Sequence, residues 1–213
     1  MFSGITAVAE TGQMTYVSGP RGSGKTLLLK SLLGLEELSS GYLTFDGDLL
    51  TPRSAPYFRQ HIAYVPQDIR FVGETLRDLW RDVPAMSDLR GRTEEAPRRL
   101  SEECRLLGAE ARWADMPLAE LAPWQIRLLL LAAAGCRQTD VLLADCPTAE
   151  MSHEATMRVW TYLQTLAERG TTVVASRWAD CHELQVNHSD TPHTLPSETM
   201  NDAMKNDSLT EQN

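Results

Sequence analysis

The chain has no hydrophobic run long enough to cross a bilayer. Its longest, Leu128–Cys136, is about half of the roughly 20 residues a spanning helix needs. It has no surplus of positive charge: 20 Lys and Arg stand against 29 Asp and Glu, a net charge of −9 over 213 residues. That balance argues against nucleic acid as the main partner, because a phosphate backbone is met by a basic face. Cysteines are few and scattered. Cys104, Cys136, Cys146 and Cys181 form no C-x-x-C pair, which excludes a zinc pattern or a disulfide framework and fits free thiols in a reducing compartment. The first residues, Met1–Gln13, lack the basic start and apolar core of a signal peptide. The chain is therefore expected in the cytosol. No internal repeat is present. The single tryptophans Trp80, Trp113, Trp160 and Trp178 read as packing residues, and His153, His182, His188 and His193 lack metal-ligand spacing.

What is present is an ordinary globular composition, 42% apolar and 23% charged, with short apolar runs alternating with helical stretches. Met14–Ser18, Tyr42–Phe45, Ile62–Val65, Val141–Asp145 and Thr171–Ser176 read as strands. Leu27–Leu35, Ile126–Cys136 and Ser152–Arg169 read as helices, the last capped by Ser152 and stopped by Gly170. Such alternation predicts an α/β fold with a mostly parallel sheet covered on both faces. Residues 72–125 are rich in Arg, Glu, Leu and Ala and read as helical. Within them, Arg90, Arg92, Arg98 and Arg99 mix with Glu94, Glu95, Glu102 and Glu103 as on an exposed helix. Residues 187–213 have no aromatic residue and more acids than bases, and read as a disordered polar tail. The expected organisation is a core of residues 1–70 and 126–186, a helical subdomain over 71–125, and that tail.

One motif carries chemistry. Gly19-Pro20-Arg21-Gly22-Ser23-Gly24-Lys25-Thr26 follows a strand and opens a helix, the setting of a phosphate-binding loop. Gly22 and Gly24 let the backbone curl so that successive N–H groups point at one anion, and the helix adds its positive end. Lys25 is placed to bridge the β- and γ-phosphates, and Thr26 to offer its hydroxyl to Mg²⁺. Asp145, ending an apolar strand, is the candidate second magnesium anchor.

With these residues in this order, the sequence resembles the ATP-binding cassette (ABC) ATPases, the motor subunits of ABC transporters. Ala63–Asp68 resembles the family's glutamine loop, whose glutamine, here Gln67, touches Mg²⁺ and the attacking water. Phe71–Leu76 resembles the segment that opens the helical subdomain. Leu121-Ala122-Pro123-Trp124-Gln125 holds the place of the signature L-S-G-G-Q/E and reaches Asp145 without a gap. The resemblance implies a P-loop NTPase (RecA-like) core with an inserted helical subdomain, binding of ATP and Mg²⁺, and cassettes paired head to tail as homo- or heterodimers. It also implies an integral-membrane permease on a separate chain and a cytoplasmic, peripheral position on the inner face of the cell membrane.

The departures from the family are specific. Its second motif ends Asp-Glu, the Glu polarising water; here Cys146 follows Asp145. A thiol is a poor base at neutral pH, and losing a positioned base costs roughly 10²–10⁴ in rate. The switch histidine is replaced by Arg177, a fixed cation that shuttles no proton. Ala122, Pro123 and Trp124 replace the signature serine and glycines, and Ser152 replaces a loop aspartate. The expected catalytic positions are thus Gln67, Cys146 and Arg177; the phosphate-binding ones Gly19, Pro20, Arg21, Gly22, Ser23, Gly24, Lys25 and Thr26; and the metal-binding ones Thr26, Gln67 and Asp145. A nucleotide-binding cassette with weak or absent turnover is the expected function. A soluble nucleotide-binding regulator is the alternative, and a P-loop kinase fits Gln67 and the ungapped spacing less well.

Overall fold

The computed structural model describes residues 4–69, 75, 76, 78, 96–179 and 184–188. Expectations for Phe71–Gly73, Trp80, Arg90–Glu95, Cys181, His182 and the tail beyond His188 lie outside the described residues.

Five strands form the main sheet in the order β4-β5-β6-β1-β7. They are β1 (Met14–Gly19), β4 (Ile62–Val65), β5 (Val141–Ala144), β6 (Thr172–Trp178) and β7 (Gln185–His188). All neighbours run parallel except β7, which runs antiparallel to β1. A separate two-stranded hairpin, β2 (Thr44–Phe45) and β3 (Asp48–Leu49), turns at Asp46 and Gly47. Both turn residues have positive φ, 50° and 87°, the requirement of a two-residue hairpin turn.

Strand residues alternate between two cores, as a pleated strand dictates. Val17, Ile62, Leu143 and Val174 pack with Leu28, Leu29 and Leu33 of the first helix, α1 (Lys25–Leu32), and its C-terminal turn. Met14, Tyr16, Ala63, Val65, Leu142, Ala144, Val173 and Ala175 face the other side. There they meet the helices α4 (Pro123–Arg137) and α5 (His153–Glu168), backed by α3 (Ala96–Leu107). Both faces of the sheet are covered, which explains why its central strands read as continuous apolar runs. The remaining short elements are α2 (Ala55–Phe58) and 3-10 turns at Arg59–His61, Ala111–Asp115 and Leu118–Glu120.

Several boundaries differ from expectation for local reasons. The first helix starts at Lys25 and ends at Leu32, before Gly34 at φ 64°. The strand expected over Tyr42–Phe45 shrinks to Thr44–Phe45, with Tyr42 exposed. Helix α4 begins at Pro123, because a proline at the first helical position forfeits no hydrogen bond. Asn187 and His188 belong to β7, paired with Tyr16 and Thr15, and the His188 Nδ1 lies 3.2 Å from the Thr15 hydroxyl. Residues 187 and 188, expected in the tail, are therefore strand. Ser152 does cap α5, its Oγ accepting from the Ala155 N–H at 3.2 Å. Cys104, Cys136 and Cys146 are free thiols.

Candidate nucleotide-binding site

Parallel strands bring their carboxyl ends to one edge of the sheet, and the candidate residues gather there. β1 and α1 hold the Gly19–Thr26 loop between them. Gly22 and Gly24 take positive φ, 78° and 94°, as the curl requires. A Cβ on Gly19 would lie 2.6 Å from the Ser23 Oγ, so the loop closes tightly on its own start. Lys25 is buried, and its Nζ donates to the carbonyls of Gly19 (2.8 Å) and Pro20 (2.7 Å).

Two features of this loop fit a phosphate ligand. Helix α1 has no side-chain cap, so its first N–H groups are left to an external acceptor. The Ser23 Oγ is buried without a hydrogen-bond partner, an arrangement that costs free energy unless a ligand satisfies it. Pro20 and Arg21 complete the turn, Arg21 at the surface.

Next to the loop, the Thr26 hydroxyl donates to Asp145 Oδ2 at 2.7 Å. Asp145 is fully buried. Its other oxygen accepts from the Ser176 hydroxyl at 2.5 Å. Burial, and then the charge of Asp145, pushes the Tyr64 phenol up to about 12. Among the described residues no three His, Cys, Asp or Glu side chains converge. One carboxylate beside one hydroxyl is instead the donor set suited to Mg²⁺, which keeps waters and phosphate oxygens as its other ligands.

Cys146 stands immediately past Asp145 with φ 46°. Its N–H donates to the Ser176 Oγ at 2.9 Å, and its Sγ lies 3.5 Å from the same oxygen. The Ser176 hydroxyl has a single proton, and that proton goes to Asp145. The Cys146 thiol must therefore be the donor to Ser176. Burial raises its pKa. A thiol that keeps and donates its proton is not a base for water.

Arg177 is engaged elsewhere. Its Nε donates to the Ser18 Oγ at 2.8 Å, and its guanidinium lies 4.8 Å from the centre of the Tyr16 ring. Gln67 lies two residues past Val65, the residue whose carbonyl accepts from the Asp145 N–H at 2.8 Å. The Gln67 side chain is exposed, and the residue's backbone carbonyl accepts from Arg127 at 3.0 Å. Thr26 and Asp145 are thus brought into contact, with Lys25 beside them in the loop, whereas Arg177 is turned onto β1.

In the signature position, Pro123 opens α4, and the Ala122 N–H donates to the Gln125 Oε1 at 2.8 Å. Trp124 packs edge-on against Trp113, ring centres 5.7 Å apart at 88°. Tyr64, Ser176 and Arg127 were not singled out in the sequence. The available signals were polar residues inside apolar strands and one arginine inside an otherwise apolar helix.

A family model described as "ABC transporter" matches residues 2–149. The chain belongs to the ABC transporter family. Among curated relatives, it is 31% identical over 173 residues to the Nod factor export ATP-binding protein I of Burkholderia orbicola, covering 81% of this chain and 56% of that protein. It is 28% identical over 176 residues to the manganese transport system ATP-binding protein MntB of Listeria innocua, covering 80% and 70%. The chain therefore spans little more than half the length of the Nod factor export proteins it matches. Among solved structures, the "ATP binding subunit of ABC transporter" superposes with a TM-score of 0.68 at 21% identity, over 81% of this chain and 70% of that one. The dimeric ABC transporter cassette MJ0796 superposes with a TM-score of 0.64 at 23% identity, over 80% and 76%. These likenesses establish the P-loop cassette fold.

Proposed function

We propose that this chain is the ATP-binding subunit of an ABC-type membrane transporter, holding MgATP with weak or absent hydrolysis. The observation that carries the reading is the state of the Asp145–Cys146 pair. Asp145 is bonded to Thr26, as a magnesium site needs, while Cys146 donates its proton to Ser176. Gly19–Lys25 would hold the phosphates, and Thr26 and Asp145 would hold Mg²⁺ together with Gln67. Bound MgATP would supply the phosphoryl bond and the metal that screens its charge. Cys146 and Arg177 stand at the positions of the family's base and switch residue and perform neither task. The permease is a separate chain, and among the described residues no helix is long and apolar enough to cross a membrane. Two such cassettes would pair beneath that permease, on the inner face of the cell membrane.

The test is an ATP titration with Mg²⁺ in which bound nucleotide and released phosphate are measured in the same samples. Binding that disappears in Lys25→Ala, with little phosphate released, is the expected result. Brisk release that depends on Lys25 would overturn the claim of weak hydrolysis, and absence of binding would overturn the whole reading.

A further inference from the structure

Arg127 is the least expected residue of α4. It sits among Ile126, Leu128, Leu129 and Leu130 and is only 3% exposed. Burying a guanidinium is costly unless its charge and donors are matched. Burial lowers its pKa, opposed by the negative charges of Glu150, Asp145 and Asp68. Two of its nitrogens are spent on backbone. One donates to the carbonyl of Ala149 at 2.7 Å, the other to the carbonyl of Gln67 at 3.0 Å. The Nε has no partner.

The two carbonyls belong to different loops. Gln67 follows β4, and Ala149 follows β5 just past Asp145 and Cys146. Arg127 itself lies one turn into the helix that begins in the signature segment. A planar guanidinium offers a rigid fork that fixes two acceptors relative to each other, which a lysine ammonium does not. We propose that Arg127 is a positioning residue for the magnesium site: it clamps the Gln67 backbone to the loop after Asp145 and so sets where the Gln67 side chain stands relative to Thr26 and Asp145. This rests on the reading of the chain as a MgATP-binding cassette.

The experiment compares ATP affinity in Mg²⁺ and in EDTA for the full chain, Arg127→Met, Arg127→Lys, Gln67→Ala and Gln67→Ala/Arg127→Met, with a urea unfolding curve for each. Supporting groups around metal ligands typically cost about 10–100-fold in affinity when removed. Arg127→Met should therefore weaken binding in Mg²⁺ at least tenfold and leave binding in EDTA within twofold. Arg127→Lys, which keeps the charge but not the fork, should lose affinity in Mg²⁺ as well. The double variant should be no weaker than Gln67→Ala alone, because Arg127 acts through Gln67. Equal losses in Mg²⁺ and EDTA, or losses that add in the double variant, would reduce Arg127 to a structural residue and overturn the proposal. If Arg127→Met fails to fold, Arg127→Lys decides the matter by the same Mg²⁺-to-EDTA ratio. Unchanged affinity in folded variants would sink this inference alone, whereas an unmodified chain that binds no ATP would sink the reading it rests on.

Discussion

Ser176 joins Asp145 to Cys146 through one hydroxyl, donating to the carboxylate at 2.5 Å and accepting the Cys146 N–H at 2.9 Å. The hydroxyl sits on β6, two residues before its end, one strand away from both partners in the sheet order. It holds a fully buried carboxylate in a fixed orientation without adding a charge. It also keeps Cys146 in the left-handed backbone region, which side chains rarely adopt.

Removing that hydroxyl leaves two buried groups short of a partner. Ser176→Ala should destabilise the fold by about 1–3 kcal/mol, the usual cost of orphaned buried donors and acceptors. Ser176→Thr, which keeps the hydroxyl, should lose less. Urea unfolding of the two variants beside the parent chain measures the difference, and equal stability of Ser176→Ala would mean the bridge contributes nothing.

Cys146→Glu supplies a carboxylate where the thiol now donates. A positioned base contributes roughly 10²–10⁴ in rate. Phosphate release should rise roughly 10²-fold, toward the lower end of that range, because Arg177 remains turned onto β1 and the signature remains altered. Release that stays at the parent level would put the limiting defect in the signature segment.

Alkaline pH should weaken the fold in a defined window. Burial pushes the Cys104 thiol from 9.0 to about 11 and the Cys136 thiol from 9.0 to about 12. The folded chain then keeps protons that the unfolded chain releases, so these groups favour folding fully below pH 9. As pH rises from 9 through about 11 and about 12, that contribution is lost. Urea midpoints measured between neutral pH and this window should fall, and Cys136→Ala should flatten the fall. A midpoint independent of pH would contradict it.

Gly135 lies where α4 meets α5. A Cβ there would overlap the Tyr162 hydroxyl and lie 3.1 Å from the Glu103 Oε2. Tyr162 is 2% exposed and has little room to retreat. Gly135→Ala should therefore cost about 1–3 kcal/mol by overpacking, although alanine is the better helix former. Thermal unfolding reads the sign, and a more stable variant would show that Tyr162 yields.

The sheet and the phosphate loop were legible because their signals are local. Val17, Leu143 and Val174 sit in apolar runs, and Gly19–Thr26 carries its geometry in its glycines. Asp145 was legible because it ends such a run. Other features depend on contacts distant in sequence. β7 has only half-buried Val186 as an apolar anchor, and it forms because β1 offers a free edge. The commitment of Arg177 to Ser18 and Tyr16, and of Arg127 to two loop carbonyls, follows from packing that no spacing encodes. Tyr42 read as a strand residue, yet among the described residues nothing covers it.

Because β7 runs antiparallel to β1, Gln185 lies beside Ser18 and His188 beside Thr15. His188 thus stands near the start of β1, about 13 Å from Gly19 at the strand rise of roughly 3.3 Å per residue. A surface linkage or fluorescent label carried on the side chain at position 188 is attached at the amino edge of the sheet. Immobilised that way, the protein presents its phosphate loop outward.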